Sequence, residues 1–237
     1  MNPNAGLEGM GADPRVPART WPQEVRQRVD RFLFEAPRWV QPAALLSQPG
    51  LAPSASVSGM PGGSFVQGQE WSERQLQILV GRLAPIKDIE PRRLMGHWST
   101  RLCLLDASEW MRLGFALSVL PFCGQAQRSM DGHFRRALRE HLGPEAPELL
   151  DALAGQGPPL KFLLGPGAWR QPQQVACGGL RSAWDQLCDW GRPVRTRFSL
   201  GFDPQVWRYP ASVEGLNEQW LEVACKLIWQ EQAWLWS

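Results

Sequence analysis

The sequence predicts a mainly α-helical domain, irregular in arrangement, with at most one short β pair. Three observations lead there. Apolar residues recur every three or four positions through most of the chain. Pro, Ser and Thr stand where the helical patterns begin, and Gly or Pro where they end. One stretch alone, Val194 to Phe202, alternates apolar and polar residues with a period of two.

The elements follow in order. Residues 1–19 are rich in Gly, Pro and Asn and predict an unstructured N-terminus. Residues 20–48 predict a helical pair. In its first helix Thr20 can cap, Pro22 suits the first turn, Val25, Val29, Phe32 and Leu33 share a face, and Pro37 is a stop. "RWVQPAALLSQ" supplies the second, shorter piece. Residues 49–69 have no period and are packed with Gly, Pro and Ser, the composition of a linker or long surface loop. They separate the helical pair from a main domain over 70–237.

That domain opens with "SERQLQILVGRLA", where a Ser cap precedes Leu76, Leu79, Val80 and Leu83 on one side. "IEPRRLMGHWSTRLCLL" reads as one helix with Pro91 in its first turn. "ASEWMRLGFALSVLPFCG" is apolar almost all round, the mark of a buried helix. "RSMDGHFRRALREHLG" and "PELLDALAG" follow as helices. In "QVACGGLRSAWDQLCDW" Leu180, Trp184, Leu187 and Cys188 keep register, while Gly178-Gly179 weakens the first half by roughly 1 kcal/mol per glycine. "VRTRFSLGFDP" predicts the strand, and "LKFLLG" is its candidate partner. The last helix carries Leu216, Trp220, Val223, Leu227 and Trp234 at helical spacing, with Trp220 and Trp234 as core residues.

Composition bounds the function. The chain has 237 residues, 43% hydrophobic and 20% charged, with a net charge of +2. That charge is too small for bulk electrostatic binding to nucleic acid or anionic lipid. There are 22 Arg against 3 Lys and 13 Trp against 1 Tyr. Arg and Trp have GC-rich codons, so a GC-rich bacterial genome accounts for much of the arginine. The cysteines, at 103, 123, 177, 188 and 225, are odd in number, form no C-x-x-C pair and sit among apolar neighbours, which predicts reduced, buried thiols. The N-terminus has no apolar core of a secretory signal, and no stretch approaches 18 uninterrupted apolar residues. A cytosolic protein is expected.

The motif search predicts no catalytic residue, no cofactor and no metal. The chain has no G-x-x-x-x-G-K-[ST], no strand-linked G-x-G-x-x-G and no G-x-S-x-G. "GPG" at 165–167 is a poor phosphate cradle, because proline has no amide proton. His133 and His141 stand eight residues apart, too far for the i, i+4 chelation of a helical zinc site.

The arginine-rich stretch from Arg128 is different. At about 100° per residue, Met130, Phe134, Leu138 and Leu142 form a buried arc with Ala137 beside them. Arg128, Arg135 and Arg139 cluster within about 40° at the edge of that arc, and Arg136 lies further round. Gly132 weakens the first turn, so Arg128 can fall outside the helix. His133 sits at the polar edge and His141 at the core rim. Three readings of the arginines stand side by side: a solvated face whose stems cover apolar surface, a docking stripe for an acidic patch on another protein, and a phosphate site. Trp229 and Trp236 are further interface candidates.

"RLGFALSVLPFCGQAQRSMDGHFRRALREHLG" resembles the central helices of the type III secretion sorting-platform accessory proteins, the SctK (YscK-like) family. Downstream, "LKFLLGPGAW" resembles the family's apolar segment ending in Gly-Pro, "VACGGLRSAWDQL" the helix after it, and "VRTRFSLGFDP" its terminal R-L-x-L-x-L-P strand. Upstream, "EAPRWVQPAALL" resembles a P-x-W segment near the family's N-terminus. The matches run in order over roughly residues 30–204. The insertion at 49–69, the Trp-rich C-terminus and the Phe-for-Leu positions depart from the pattern.

The resemblance implies a non-enzymatic adaptor, cytoplasmic and peripheral at the bacterial inner membrane through protein partners. Those partners are the cytoplasmic domain of the inner-membrane ring protein (SctD-like) and the pod protein of the sorting platform (SctQ-like), with the stator of the secretion ATPase as a further one. It supplies no catalytic residue. The rival readings are a helical enzyme with an unrecognised Cys or His site, and a secretion chaperone or regulator.

Overall fold

The computed structural model describes residues 21–47, 72–129, 131–156, 159–165, 167–184, 186 and 190–229. The expected segments 1–19 and 49–69, together with Thr20, Met130, Leu187, Cys188, Trp234 and Trp236, lie outside them. The fold is mainly α, and its described residues contain one two-stranded antiparallel sheet.

Helix α1 (Gln23–Phe34) follows Pro22 and buries Val25, Val29, Phe32 and Leu33, the face its spacing predicts. A 3-10 turn at Ala36–Arg38 holds Pro37, and α2 (Pro42–Leu46) completes the N-terminal pair. Helix α3 (Glu73–Leu83) opens with a capping box: the Gln75 N–H donates to Ser72 Oγ at 3.3 Å, and the Ser72 N–H donates to Gln75 Oε1 at 2.9 Å. The pair is not set apart from the rest. Val25, Val29, Phe32 and Leu33 belong to the main core. Ala36, Val40, Ala44 and Leu45 share a smaller cluster with Leu76, Val80 and Leu200.

Helix α6 (Ala107–Val119) buries Trp110, Leu113, Phe115, Ala116, Leu117 and Val119 and is the centre of the molecule, as its all-round apolarity predicts. It pairs most extensively with α9 (Pro172–Trp184), and α11 (Glu218–Ile228) packs on it as well. At the α6–α9 crossing the backbones nearly touch. A Cβ on Gly179 would lie 1.8 Å from the Gly114 carbonyl oxygen, and one on Gly114 would lie 2.2 Å from that of Ala176. The glycine pair that reads as a weak point of α9 is thus what lets the two central helices meet. Ser118 Oγ sits inside the crossing, within hydrogen-bonding distance of the carbonyls of Gly114 (3.0 Å) and Val175 (2.9 Å) and of Ser212 Oγ (2.7 Å).

Asp106 caps α6 and accepts from the Glu109 N–H at 2.9 Å, while Glu109 accepts from the Asp106 N–H at 2.7 Å. Arg28 of α1 donates two bonds to the Glu109 carboxylate, at 2.9 and 3.0 Å, and so ties α1 to the start of α6. Burial pushes the Asp106 carboxyl up. The bonds it accepts from Ser108 Oγ and from the backbone N–H groups of Glu109 and Ser108, with the charge of Arg31, outweigh burial and hold it below the usual carboxylate range. A carboxyl lowered on folding contributes its full stability above its unfolded pKa and loses it as pH falls through the folded one. Asp106→Ala is therefore expected to cost about 1 kcal/mol at neutral pH, and less as pH falls through the carboxyl's lowered folded-state pKa. Urea unfolding at neutral pH and below that pKa checks this.

Three expectations are corrected. Residues 90–105 do not form one helix: α4 (Pro91–Leu94), α5 (Trp98–Arg101) and a 3-10 turn at Leu102–Leu104 are separate pieces. The break at Met95–His97 lets His97 cap α5, its Nδ1 accepting from the Ser99 N–H at 3.4 Å. The carbonyl of Met95, freed at the break, accepts from the Nε and Nη2 of buried Arg101.

The second correction concerns Val194–Phe202. It is not a strand: α10 (Arg192–Ser199) covers residues 194–199, with Pro193 in its first turn. Arg197, which alternation would put in solvent, is fully buried beside Phe198. A helix brings positions 194, 197 and 198 to one side, and backbone carbonyls supply the partners that a buried arginine needs. The stretch that resembles the family's terminal strand is helical here. "LKFLLG" does contain a strand, β1 (Lys161–Phe162), but its antiparallel partner is β2 (Val213–Glu214), with Lys161 opposite Glu214 and Phe162 opposite Val213.

The third lies at the C-terminus, where the expected helix carries Leu216. Leu216 precedes α11, which Asn217 caps. The helix ends at Ile228 with Trp229 (φ −128°, ψ 52°) as its C-cap, while the expected Trp234 lies outside the described residues. Trp220, Leu221, Ala224 and Cys225 are buried, and Val223 and Leu227 pack at the core's edge.

Candidate protein interface

Helix α7 (Gly132–Leu142) occupies the arginine-rich stretch. Asp131 starts it, one carboxylate oxygen accepting from the N–H groups of His133 (2.8 Å) and Phe134 (3.2 Å). Gly143 ends it with a φ of 103°, which a side chain would resist. Phe134, Ala137 and Leu138 are buried, with Leu142 partly so, as the arc predicts. α8 (Ala146–Ala152) follows at once, with Pro147 in its first turn.

The buried side is anchored by rings. Phe134 packs on Trp169 at a centroid separation of 4.8 Å and on Phe122 at 5.2 Å. Trp169 stacks on Phe162 at 5.0 Å, nearly parallel. His141 lies on the face of Phe115 at 4.6 Å, the core-rim place its position suggests. These contacts fix how α7 is turned, so its outer side is a defined surface.

On that outer side Arg135, Arg136, Arg139 and His133 are exposed. Arg128 is exposed too, in the turn before α7 and outside the helix. Asp151 of α8 holds this turn, accepting from the N–H groups of Ala126 (2.8 Å) and Gln127 (3.1 Å). Among the described residues, none of these four arginines is in an ion pair. Of the exposed arginines elsewhere, Arg38 is matched by Glu35 at 2.8 Å and Arg93 by Glu90 at 3.0 Å, while Arg26, Arg74, Arg82, Arg92 and Arg170, like these four, stand in no ion pair among the described residues. Residues 128–139 hold four Arg and one Asp, a local charge of +3 in a chain whose total is +2. Glu140, also exposed on α7, brings the stretch through the end of the helix to +2.

The other candidates fall differently. Trp229 is 4% exposed and part of the main core, so it offers no surface to a partner. Trp236 lies outside the described residues. The thiols of Cys103, Cys123, Cys177 and Cys225 are all raised by burial, Cys123 to about 11 with help from the charge of Asp151. Each is held protonated at neutral pH, a poor state for a nucleophile.

An open cleft of about 550 Å³ lies between α1, the turn at 103–107 and residues 198–202. Phe32, Trp39 and Phe202 line it, as do Cys103 and four carboxylates, those of Glu24, Asp30, Glu35 and Asp106. No histidine is among its described lining residues. Its arginines are largely matched from within, Arg28 by Glu109 and Arg38 by Glu35. Among the described residues, no group of three or more His, Cys, Asp or Glu is placed to hold a metal ion, and no helix is long and apolar enough to cross a membrane. Comparison with family models, with curated proteins and with solved structures finds no match.

Proposed function

We propose that this chain is a non-enzymatic adaptor of a bacterial type III secretion system. It bridges the cytoplasmic domain of the inner-membrane ring protein and the pod protein of the sorting platform, at the cytoplasmic face of the inner membrane. The stator of the secretion ATPase is a further candidate partner. The reading draws its identity from the ordered resemblance over residues 30–204, now resting on the stretches other than 194–202, where α10 stands in place of the strand.

The observation that carries the docking role is the outer face of α7. Arg135, Arg136 and Arg139 stand on a helix seated by Phe134 and Trp169, with Arg128 in the turn before it, and among the described residues none has an acidic partner. Unmatched guanidinium groups on a rigid element suit carboxylates supplied by another protein, because the fork geometry is already oriented and little ordering is needed on binding. Raised thiol pKa values also favour binding over nucleophilic chemistry.

The test is charge reversal. Arg135→Glu with Arg139→Glu is expected to weaken binding to the ring domain or the pod protein by about tenfold or more, with helical circular dichroism unchanged. Wild-type affinity for both partners in the double variant would refute the assignment of this face. Loss of the helical signal would mean that the arginines hold the fold instead.

A further inference from the structure

Arg197 is a buried cation without a buried anion. It is fully inaccessible, and among the described residues no carboxylate pairs with it. Its guanidinium is satisfied by three backbone carbonyls. Nε donates to the Phe32 oxygen at 2.7 Å, Nη1 to that of Ala84 at 3.1 Å, and Nη2 to that of Leu33. Its flat faces lie near the rings of Phe32 (5.9 Å) and Trp39 (5.6 Å).

Those carbonyls are not arbitrary. Phe32 and Leu33 belong to the last turn of α1, and Ala84 is the residue that caps α3. The final carbonyls of a helix lack intrahelical donors and carry about half a negative charge. Two helix ends together supply roughly one negative charge to one guanidinium, so a carboxylate is not required. Burial lowers the Arg197 pKa to about 10, which still leaves it charged at neutral pH.

The position of α10 gives this contact a consequence. Phe198 belongs to the main core, while Leu200 belongs to the smaller cluster with Ala36, Val40, Ala44, Leu45, Leu76 and Val80. The Gln41 N–H donates to the Leu200 carbonyl at 2.7 Å. Arg197 lies between the two clusters and is bonded to the ends of both α1 and α3.

We infer that Arg197 is a conformational latch, joining the ends of α1 and α3 to α10 so that the lobe built from α2, α3 and Leu200 docks on the main core, or leaves it, as one unit. Without its guanidinium three carbonyls at the joint lose their donors together, and the lobe is left to the smaller cluster and the Gln41–Leu200 bond. Trp39, which lines the 550 Å³ cleft, stands at that joint, its ring 5.6 Å from the guanidinium.

Hydrogen exchange of the full chain, read by mass spectrometry, tests this. In Arg197→Met the amides of 36–47 and 72–84 are expected to exchange about tenfold faster or more, while those of α6 and α9 stay within about twofold of wild type. Arg197→Lys keeps a charge but cannot reach three carbonyls in one plane, and is expected to show the same regional pattern with a smaller gain. If Arg197→Met does not fold, the pattern in Arg197→Lys decides. Unchanged exchange in 36–47 and 72–84, or equal acceleration in every helix of the lysine variant, would overturn the latch.

Discussion

Gly179→Ala is expected to lower the stability of the folded chain by about 3 kcal/mol or more. On an exposed helix the same change would add up to about 1 kcal/mol, because alanine is the better helix former. Here the new methyl would sit 1.8 Å from the Gly114 carbonyl oxygen and 2.6 Å from Ser118 Oγ. Neither is the loose end of a flexible side chain. Relief requires α6 and α9 to move apart. That would open the central contact of the core and break the bonds from Ser118 to Val175 and Ser212. Gly81→Ala in α3 is the control, since nothing lies within 4 Å of its added methyl. It is expected to leave stability unchanged or to raise it by up to about 1 kcal/mol. Urea midpoints of the two variants, at unchanged slope, check the pair.

Trp110→Ala is the second large effect, expected to cost about 3–5 kcal/mol. Trp110 is completely buried in α6. Its ring edge meets Phe198 at 4.8 Å and Trp190 at 5.8 Å, and its Nε1 donates to the Leu102 carbonyl at 2.9 Å. Truncation removes the packing between α6, α10 and the segment at 190, and it takes from the Leu102 carbonyl one of its two donors, leaving the Leu105 N–H at 3.1 Å. Trp110→Phe keeps most of the ring volume and loses only the donor. It is expected to cost about 1–3 kcal/mol, less than the alanine variant. Thermal unfolding followed by circular dichroism separates the two. Near-wild-type stability of Trp110→Ala would mean that the Trp110–Trp190–Phe198 cluster is not a keystone of the core.

Much of the fold can be read from local pattern. The face of α1, the Ser72 cap, the buried α6 and the arc of α7 with its exposed arginines all follow from spacing within one element. What could not be read depends on partners distant in the chain. Arg197 looks like the wet side of a strand until Phe32 and Ala84, more than a hundred positions away, offer it carbonyls. Gly179 looks like a flaw until Gly114 arrives opposite. Trp229 looks like a surface anchor because its neighbours in sequence do not reveal how α11 lies on α6. The candidate interface divides the same way. The arginine stripe is local and legible, whereas the rings that seat it and the Asp151 carboxylate that fixes Arg128's turn come from other segments.

The bridging role is tested most directly by mixing three purified proteins: this chain, the cytoplasmic domain of the ring protein and the pod protein. Light scattering after size exclusion should find ring domain and pod apart when this chain is omitted. When it is added, a single species with the summed mass of all three is expected, and Arg135→Glu with Arg139→Glu should leave one partner out of it. Ring domain and pod that stay separate in the presence of the wild-type chain, or that associate equally well without it, would contradict the account.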